Sequence, residues 1–113
     1  MTLDPDTIAD YVRSLTKTHG YSVEELIIYG SYARSEATED SDVDIILVSS
    51  DFQEEYYERA TDIHFAWDVE KYPIPDLIPL TPEEFRERRR AAEGDVVEEA
   101  DRDGLHYSGN SSL

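Results

Sequence analysis

Apolar residues recur along this chain in two rhythms. Ile8, Tyr11, Val12 and Leu15 return at helical steps, which predicts an amphipathic helix over 4–19. Asp4 stands at its N-cap, Pro5 at its first position, and Gly20 is placed to end it. Leu26 to Tyr29 is a short continuous apolar run, read as a buried strand. Asp42 to Val48 alternates instead. A period of two puts Asp42, Asp44, Ile46 and Val48 on one face of a second strand, and Val43, Ile45 and Leu47 on the other. Residues 51–64 are predicted to be helical in part, with Phe52, Tyr56, Arg59, Ala60 and Ile63 as an inward stripe. Lys71 to Leu80 is the third extended stretch, and Pro73, Pro75 and Pro79 assign it to an edge. Thr81-Pro82-Glu83-Glu84 is a helix start with a capping box, leading a helix to about Ala92 that carries Phe85 inward. A further helix near 96–103 ends at Gly104, and Leu105-His106-Tyr107 forms a short last strand. Strands and helices in this order predict an α/β (α+β) domain over residues 1–107, a small mixed sheet with helices packed on it, followed by a flexible tail at 108–113.

Charge changes this picture. The 113 residues carry 27 acids against 10 bases, a net charge of −17, and eight of the bases are Arg. Affinity for nucleic acid comes largely from neutralised phosphates, so such a surface excludes direct nucleic-acid binding as an expectation. The single dense basic run is Arg86 to Arg90, interrupted by Glu87. The acid excess admits two readings: a surface adapted to high salt, where screening removes self-repulsion, or a basic partner. No run of about 20 apolar residues exists to span a membrane, and the N-terminus lacks the basic and apolar regions of an export signal. The expected compartment is the cytoplasm. There is no cysteine, so thiolate chemistry and disulfides are excluded.

The candidate chemistry begins where the first strand ends. Gly30 permits backbone conformations and close approach that other residues forbid. Ser31 is expected to cap a short helix over 32–37, with hydroxyl and backbone N–H groups turned toward an anion. A strand-to-turn corner reads the same way. Asp42 and Asp44 lie roughly 7 Å apart at Cα on an extended chain, so their carboxylates can converge on a divalent metal; two surface acids at a strand end would look alike. Asp76 stands alone among Ile74, Leu77 and Ile78, and needs either solvent or a partner.

Order and spacing join these pieces. The segment Gly30-Ser31-Tyr32-Ala33-Arg34-Ser35, followed by Ser41-Asp42-Val43-Asp44-Ile45 and then by Asp76 on a later strand, resembles the nucleotidyltransferases of the DNA polymerase β superfamily. The size resembles its minimal members. The resemblance implies a polymerase-β-type core in which Asp42, Asp44 and Asp76 are catalytic and hold two Mg²⁺ ions, with Mn²⁺ as a substitute. Gly30, Ser31 and Arg34 would bind the phosphates of ATP. It further implies transfer of AMP to a hydroxyl, with a tyrosine of a HEPN-type toxin as acceptor and an antitoxin role. Ser35 stands where the family's motif has a glycine, which a helical conformation there would accommodate.

Overall fold

The computed structural model describes residues 2–91 and 93–110. Its first element is helix α1, Pro5–Thr18, capped by the Asp4 carboxylate, which accepts from the Asp6 N–H. Strands β1 (Glu25–Tyr29) and β2 (Val43–Val48) pair antiparallel, with Tyr29 opposite Asp44. Helix α2 (Thr61–Ala66) lies in the crossover to β3 (Pro75–Leu80), which pairs parallel to β2. Helices α3 (Pro82–Arg88) and α4 (Val96–Asp103) follow, and β4 (Leu105–Ser108) returns antiparallel to β1. The strand order is β3-β2-β1-β4, so β3 is an edge, as its prolines predict.

The alternation in β2 separates two cores. Val43, Ile45 and Leu47 pack with Ile8 and Val12 of α1 and with Phe52, Ala60, Ile63 and Trp67 of the crossover. Ile46 and Val48 pack on the other face with Leu80, Phe85 of α3, and Val97 and Ala100 of α4. The sheet is therefore covered on both faces, and Asp44 belongs to the α3/α4 side. Of the inward stripe expected over 51–64, Phe52, Ala60 and Ile63 are buried, while Tyr56 remains 45% exposed.

Aromatic residues hold the crossover in place. Tyr11 stacks on Tyr72 with centroids 3.7 Å apart and meets Trp67 edge-on at 4.9 Å. The Trp67 indole N–H donates to the Pro73 carbonyl at 2.9 Å. These contacts fix the chain two residues before β3 begins.

At α3 the capping box forms as expected, Thr81 accepting from the Glu84 N–H and Glu84 accepting from the Thr81 N–H. The helix ends at Arg88, short of the expected Ala92. Glu84 also pairs with the Arg59 guanidinium, which donates as well to the Pro79 carbonyl at 3.1 Å. The hydrogen bond from Arg59 holds the Glu84 carboxyl below its ordinary value, burial opposing it in part.

The last strand runs past the expected boundary. Ser108 belongs to β4, the Gly109 N–H donates to the Glu24 carbonyl at 3.2 Å, and Asn110 is a hub rather than part of a loose tail. Its side chain accepts from the Val23 N–H at 2.9 Å and donates to the Thr16 hydroxyl at 2.8 Å and the Tyr21 carbonyl at 2.9 Å. The rest of the expected tail, 111–113, lies outside the described residues. No helix among the described residues is long and apolar enough to cross a membrane.

Two outcomes test these ties. Asn110→Ala should destabilise the fold by about 1–3 kcal/mol, the cost of leaving part-buried partners unpaired, measured by urea unfolding. A depressed carboxylate contributes stability above its unfolded pKa that is lost as pH falls through its folded value. Glu84→Gln should therefore cost stability at pH 7, and its difference from wild type should shrink in the acid range below pH 4.

Candidate active site

The site lies at the end of the sheet where β1 finishes and β2 and β3 begin. Parallel register puts Asp44 directly beside Asp76 on the neighbouring strand. Gly30 follows β1 at a φ of 72°, in the left-handed region. A Cβ on Gly30 would overlap the Asp44 Oδ2 and lie 3.3 Å from its Cγ. The backbone angle favours glycine, and a side chain there would also push the Asp44 carboxylate aside.

Burial raises the Asp44 pKa, and the Asp76 carboxylate raises it further, as a like charge and as an acceptor for the protonated form; Asp42 adds to this and Arg34 opposes it. Ionising Asp44 therefore costs folding free energy: stability falls as pH rises through the ordinary carboxylate range, and the loss persists at neutral pH. The Tyr29 hydroxyl is pushed up too, first by burial and then by Asp44 and Asp76. Two carboxyl groups stand side by side, and Arg34 offsets the charge on Asp44 only in part.

A cavity of about 590 Å³ opens over this pair, lined by Tyr29, Gly30, Ala33, Arg34, Asp44 and Asp76 on one side and by Val96, Glu99, Ala100 and Asp103 of α4 on the other. The expected Asp44, Asp76, Gly30 and Arg34 are brought together. Asp42 and Ser31 are not among the lining residues. Asp42 is exposed and faces a second cavity of about 410 Å³ with Tyr32, Lys71 and Ile74. Arg34 is exposed and pairs with Glu36.

The turn itself differs from expectation. A single 3₁₀ turn spans Gly30–Tyr32, and Ser31 lies within it without acting as a cap. The expected helix over 32–37 is absent, and Ser35 sits at φ 60°, also left-handed. That angle accounts for glycine in the resembling motif: a side chain there is strained.

The α4 wall was not foreseen. Val96, Glu99 and Asp103 share one stripe of α4, beside the Val97 and Ala100 that face the core. Gly104 brings this helix close to β1, since a Cβ there would lie 2.6 Å from the Ile27 Cγ2. A lone glycine ending a helix carries no such signal in sequence.

Asp44 and Asp76 fit a hard divalent cation. They are oxygen donors, adjacent, and offset only in part by Arg34. Among the described residues no group of three or more His, Cys, Asp or Glu converges closely enough to hold a metal ion. Mg²⁺ is commonly held by one or two carboxylates plus substrate phosphates, without an all-protein cage, so a pair is compatible with it.

The profile of the nucleotidyltransferase domain family matches residues 6–99. The chain belongs to this nucleotidyltransferase family. A protein of Methanocaldococcus jannaschii named "putative protein adenylyltransferase" is 39% identical over 41 residues, which are 36% of this chain and 41% of that protein. The match thus spans less than half of that relative's length. A crystal structure of a "putative nucleotidyltransferase" from Sulfolobus solfataricus superposes with a TM-score of 0.54 at 21% identity, covering 90% of this chain and 77% of that one. A toxin-antitoxin structure with AMP-PNP superposes with a TM-score of 0.59 at 17% identity, covering 89% and 73%. A mutant of the toxin-antitoxin MntA-HpeT gives 0.55 at 16%, covering 89% and 72%. These structural likenesses establish the nucleotidyltransferase fold, a mixed sheet with helices.

The two left-handed positions in the turn after β1, Gly30 and Ser35, predict opposite effects in this nucleotidyltransferase. Gly30→Ala forces strain and displaces Asp44, and should lower stability by more than about 1 kcal/mol. Ser35→Gly relieves a left-handed side chain and should raise stability by about 1 kcal/mol. Thermal and urea unfolding of both variants checks the pair of signs.

Proposed function

We propose that this chain moves AMP from ATP to a hydroxyl acceptor, most specifically a tyrosine of a HEPN-type toxin, and so acts as an antitoxin. The observation that carries this reading is the Asp44–Asp76 pair held against Gly30 at the mouth of a cavity that also contains Arg34. The name of the Methanocaldococcus relative and the toxin-antitoxin neighbours support the acceptor class and the role.

Asp44 and Asp76 would hold the Mg²⁺ ions, or Mn²⁺ in their place, with Asp42 completing the set. Bound there, the ions supply positive charge to both the attacking and the leaving oxygen of an in-line displacement. The Gly30-Ser31 turn and Arg34 would receive the terminal phosphates of ATP. Asp76, exposed on its strand, would take the proton of the acceptor hydroxyl. The acceptor oxygen then bonds to the α-phosphorus, the bond to the bridging oxygen breaks, and pyrophosphate leaves. No protein nucleophile is required. The excess of acid on the surface keeps two readings, adaptation to high salt in the cytoplasm of a halophile and complementarity to a basic partner.

A second reading is a binding module that neutralises its partner by docking alone. The position of Asp42 outside the Asp44–Asp76 cavity favours it.

Incubated with ATP, Mg²⁺ and the protein encoded by the adjacent gene, wild type should make that protein heavier by one AMP. Asp44→Asn or Asp76→Asn should slow the transfer by about 100-fold or more. Asp44→Asn should also be more stable than wild type without Mg²⁺, yet lose the rise in Tm that Mg²⁺ and ATP give wild type. A mass shift unchanged in the Asp42→Asn/Asp44→Asn double variant would remove the catalytic reading. Equal protection of the partner's target by this variant and wild type would establish docking.

A further inference from the structure

Seven large apolar side chains are exposed among the described residues, and five of them, Tyr56, Tyr57, Phe65, Val69 and Ile74, lie in the crossover that leads to Asp76. Phe65 is 87% exposed and Tyr57 80%. Tyr56, Tyr57 and Phe65 line one hollow of about 300 Å³ together with Leu77 and Pro79 of the edge strand. Clustered exposed aromatics in so acidic a chain call for a cover.

The backbone of β3 cannot supply that cover by adding a strand. The Val43 N–H donates to the Ile74 carbonyl and the Ser49 N–H to the Leu80 carbonyl. With a period of two, the backbone groups of Asp76 and Ile78 also face β2, and those of Pro75, Leu77 and Pro79 face outward. Two of these three have no N–H, and the Pro79 carbonyl is taken by Arg59. An occupant must bind through side chains.

The rim selects the occupant. Glu55 and Glu58, which flank the lining Tyr56 and Tyr57 in the chain, are exposed, and the Asp62 carboxylate is turned to the Tyr21 hydroxyl. The lining itself also holds Thr61, His64 and Arg59, the last 9% exposed at its side chain and paired with Glu84. A second copy of this chain would bring acids against acids, and nucleic acid or an anionic bilayer would be repelled by the −17 charge. We infer that the Tyr57–Phe65 hollow is the docking face for a protein whose apolar surface is ringed by Lys and Arg, and that docking there delivers its acceptor hydroxyl to Asp76. This rests on the transferase reading above. It adds where the acceptor protein sits and what its surface must offer. Leu77 of the hollow follows Asp76 in β3 and points to the opposite face of the sheet, so the docked protein must reach over the open edge of β3, where Asp76 is exposed, to bring its hydroxyl to that carboxylate.

The test uses Tyr57→Ser/Phe65→Ser and, separately, Glu55→Lys/Glu58→Lys, all at exposed positions outside the transferase cavity. The probe is the purified protein of the adjacent gene, with affinity measured by titration at two salt concentrations. The aromatic double variant should bind it roughly 30-fold more weakly. The charge-reversed variant should also weaken, and its deficit should shrink at high salt. Binding of ATP with Mg²⁺ by each free variant should equal wild type. Partner affinity unchanged in both variants would overturn the docking face while leaving the transferase reading intact. Failure of wild type to bind the partner at all, with ATP binding intact, would overturn the partner. Self-association of wild type that the aromatic variant loses, by sedimentation, would make a second copy the occupant and overturn the inference.

Discussion

Two carboxylates held side by side are the constraint on which this structure turns. Asp44 and Asp76 occupy matching positions on adjacent parallel strands, so neither can move away without breaking the ladder. Burial and the neighbouring Asp76 raise the Asp44 pKa, so holding Asp44 charged works against folding. The surroundings do little to relieve this. Gly30 gives up a side chain so that the Asp44 carboxylate can sit against its backbone, and Arg34, which opposes the Asp44 shift, is exposed and shared with Glu36. A fold that retains such a pair bears a local cost that a bound cation with phosphate oxygens would reverse.

The rest of the architecture keeps that pair in register. Asp76 can face Asp44 because β3 starts at a defined point, and the start is set upstream by Trp67 on the Pro73 carbonyl and by the stacked Tyr11 and Tyr72. These aromatics lie on the α1/α2 face, away from the carboxylates. Side-chain alternation in β2 lets one strand serve both purposes: Val43, Ile45 and Leu47 anchor it from below while Asp44 is presented on the other side. Gly104 then lets α4 approach β1, and α4 forms the far wall of the cavity.

Much of this was legible in sequence, and the reason is local. The period of two in β2, the Asp4 and Thr81 caps, and the prolines of β3 each express a rule that acts within a few residues, and each appears in the structure. What was not legible depends on distant contacts or on backbone angles. The φ of 60° at Ser35 is signalled only by the glycine of the resembling motif, a position expected to be helical. Asn110 looks like tail composition, and becomes a hub because Thr16, Tyr21 and Val23 are folded onto it from the other end of the chain. The α4 wall needed Ile27 and Gly104 to meet. The motif brought Asp44, Asp76, Gly30 and Arg34 to one cavity, whereas the exposed Asp42 just before β2 lies beyond the ladder that would fix its direction.

The edge position of β3 carries its own logic. β3 lies at the rim of the sheet, and Asp76 on it is exposed. A rim strand exposes backbone groups that invite non-specific pairing. Here the outward positions are Pro75, Leu77 and Pro79, and Arg59 covers the last of these carbonyls while its charge is held by Glu84. Glu84 is fixed in turn by the capping box of α3. The same few residues thus end β3, start α3 and close the edge. With backbone pairing blocked, contact at this rim passes to the side chains of the crossover, and those are aromatic at the centre and acidic around it. Accessibility of Asp76 and selectivity of the rim beside it are two consequences of one placement.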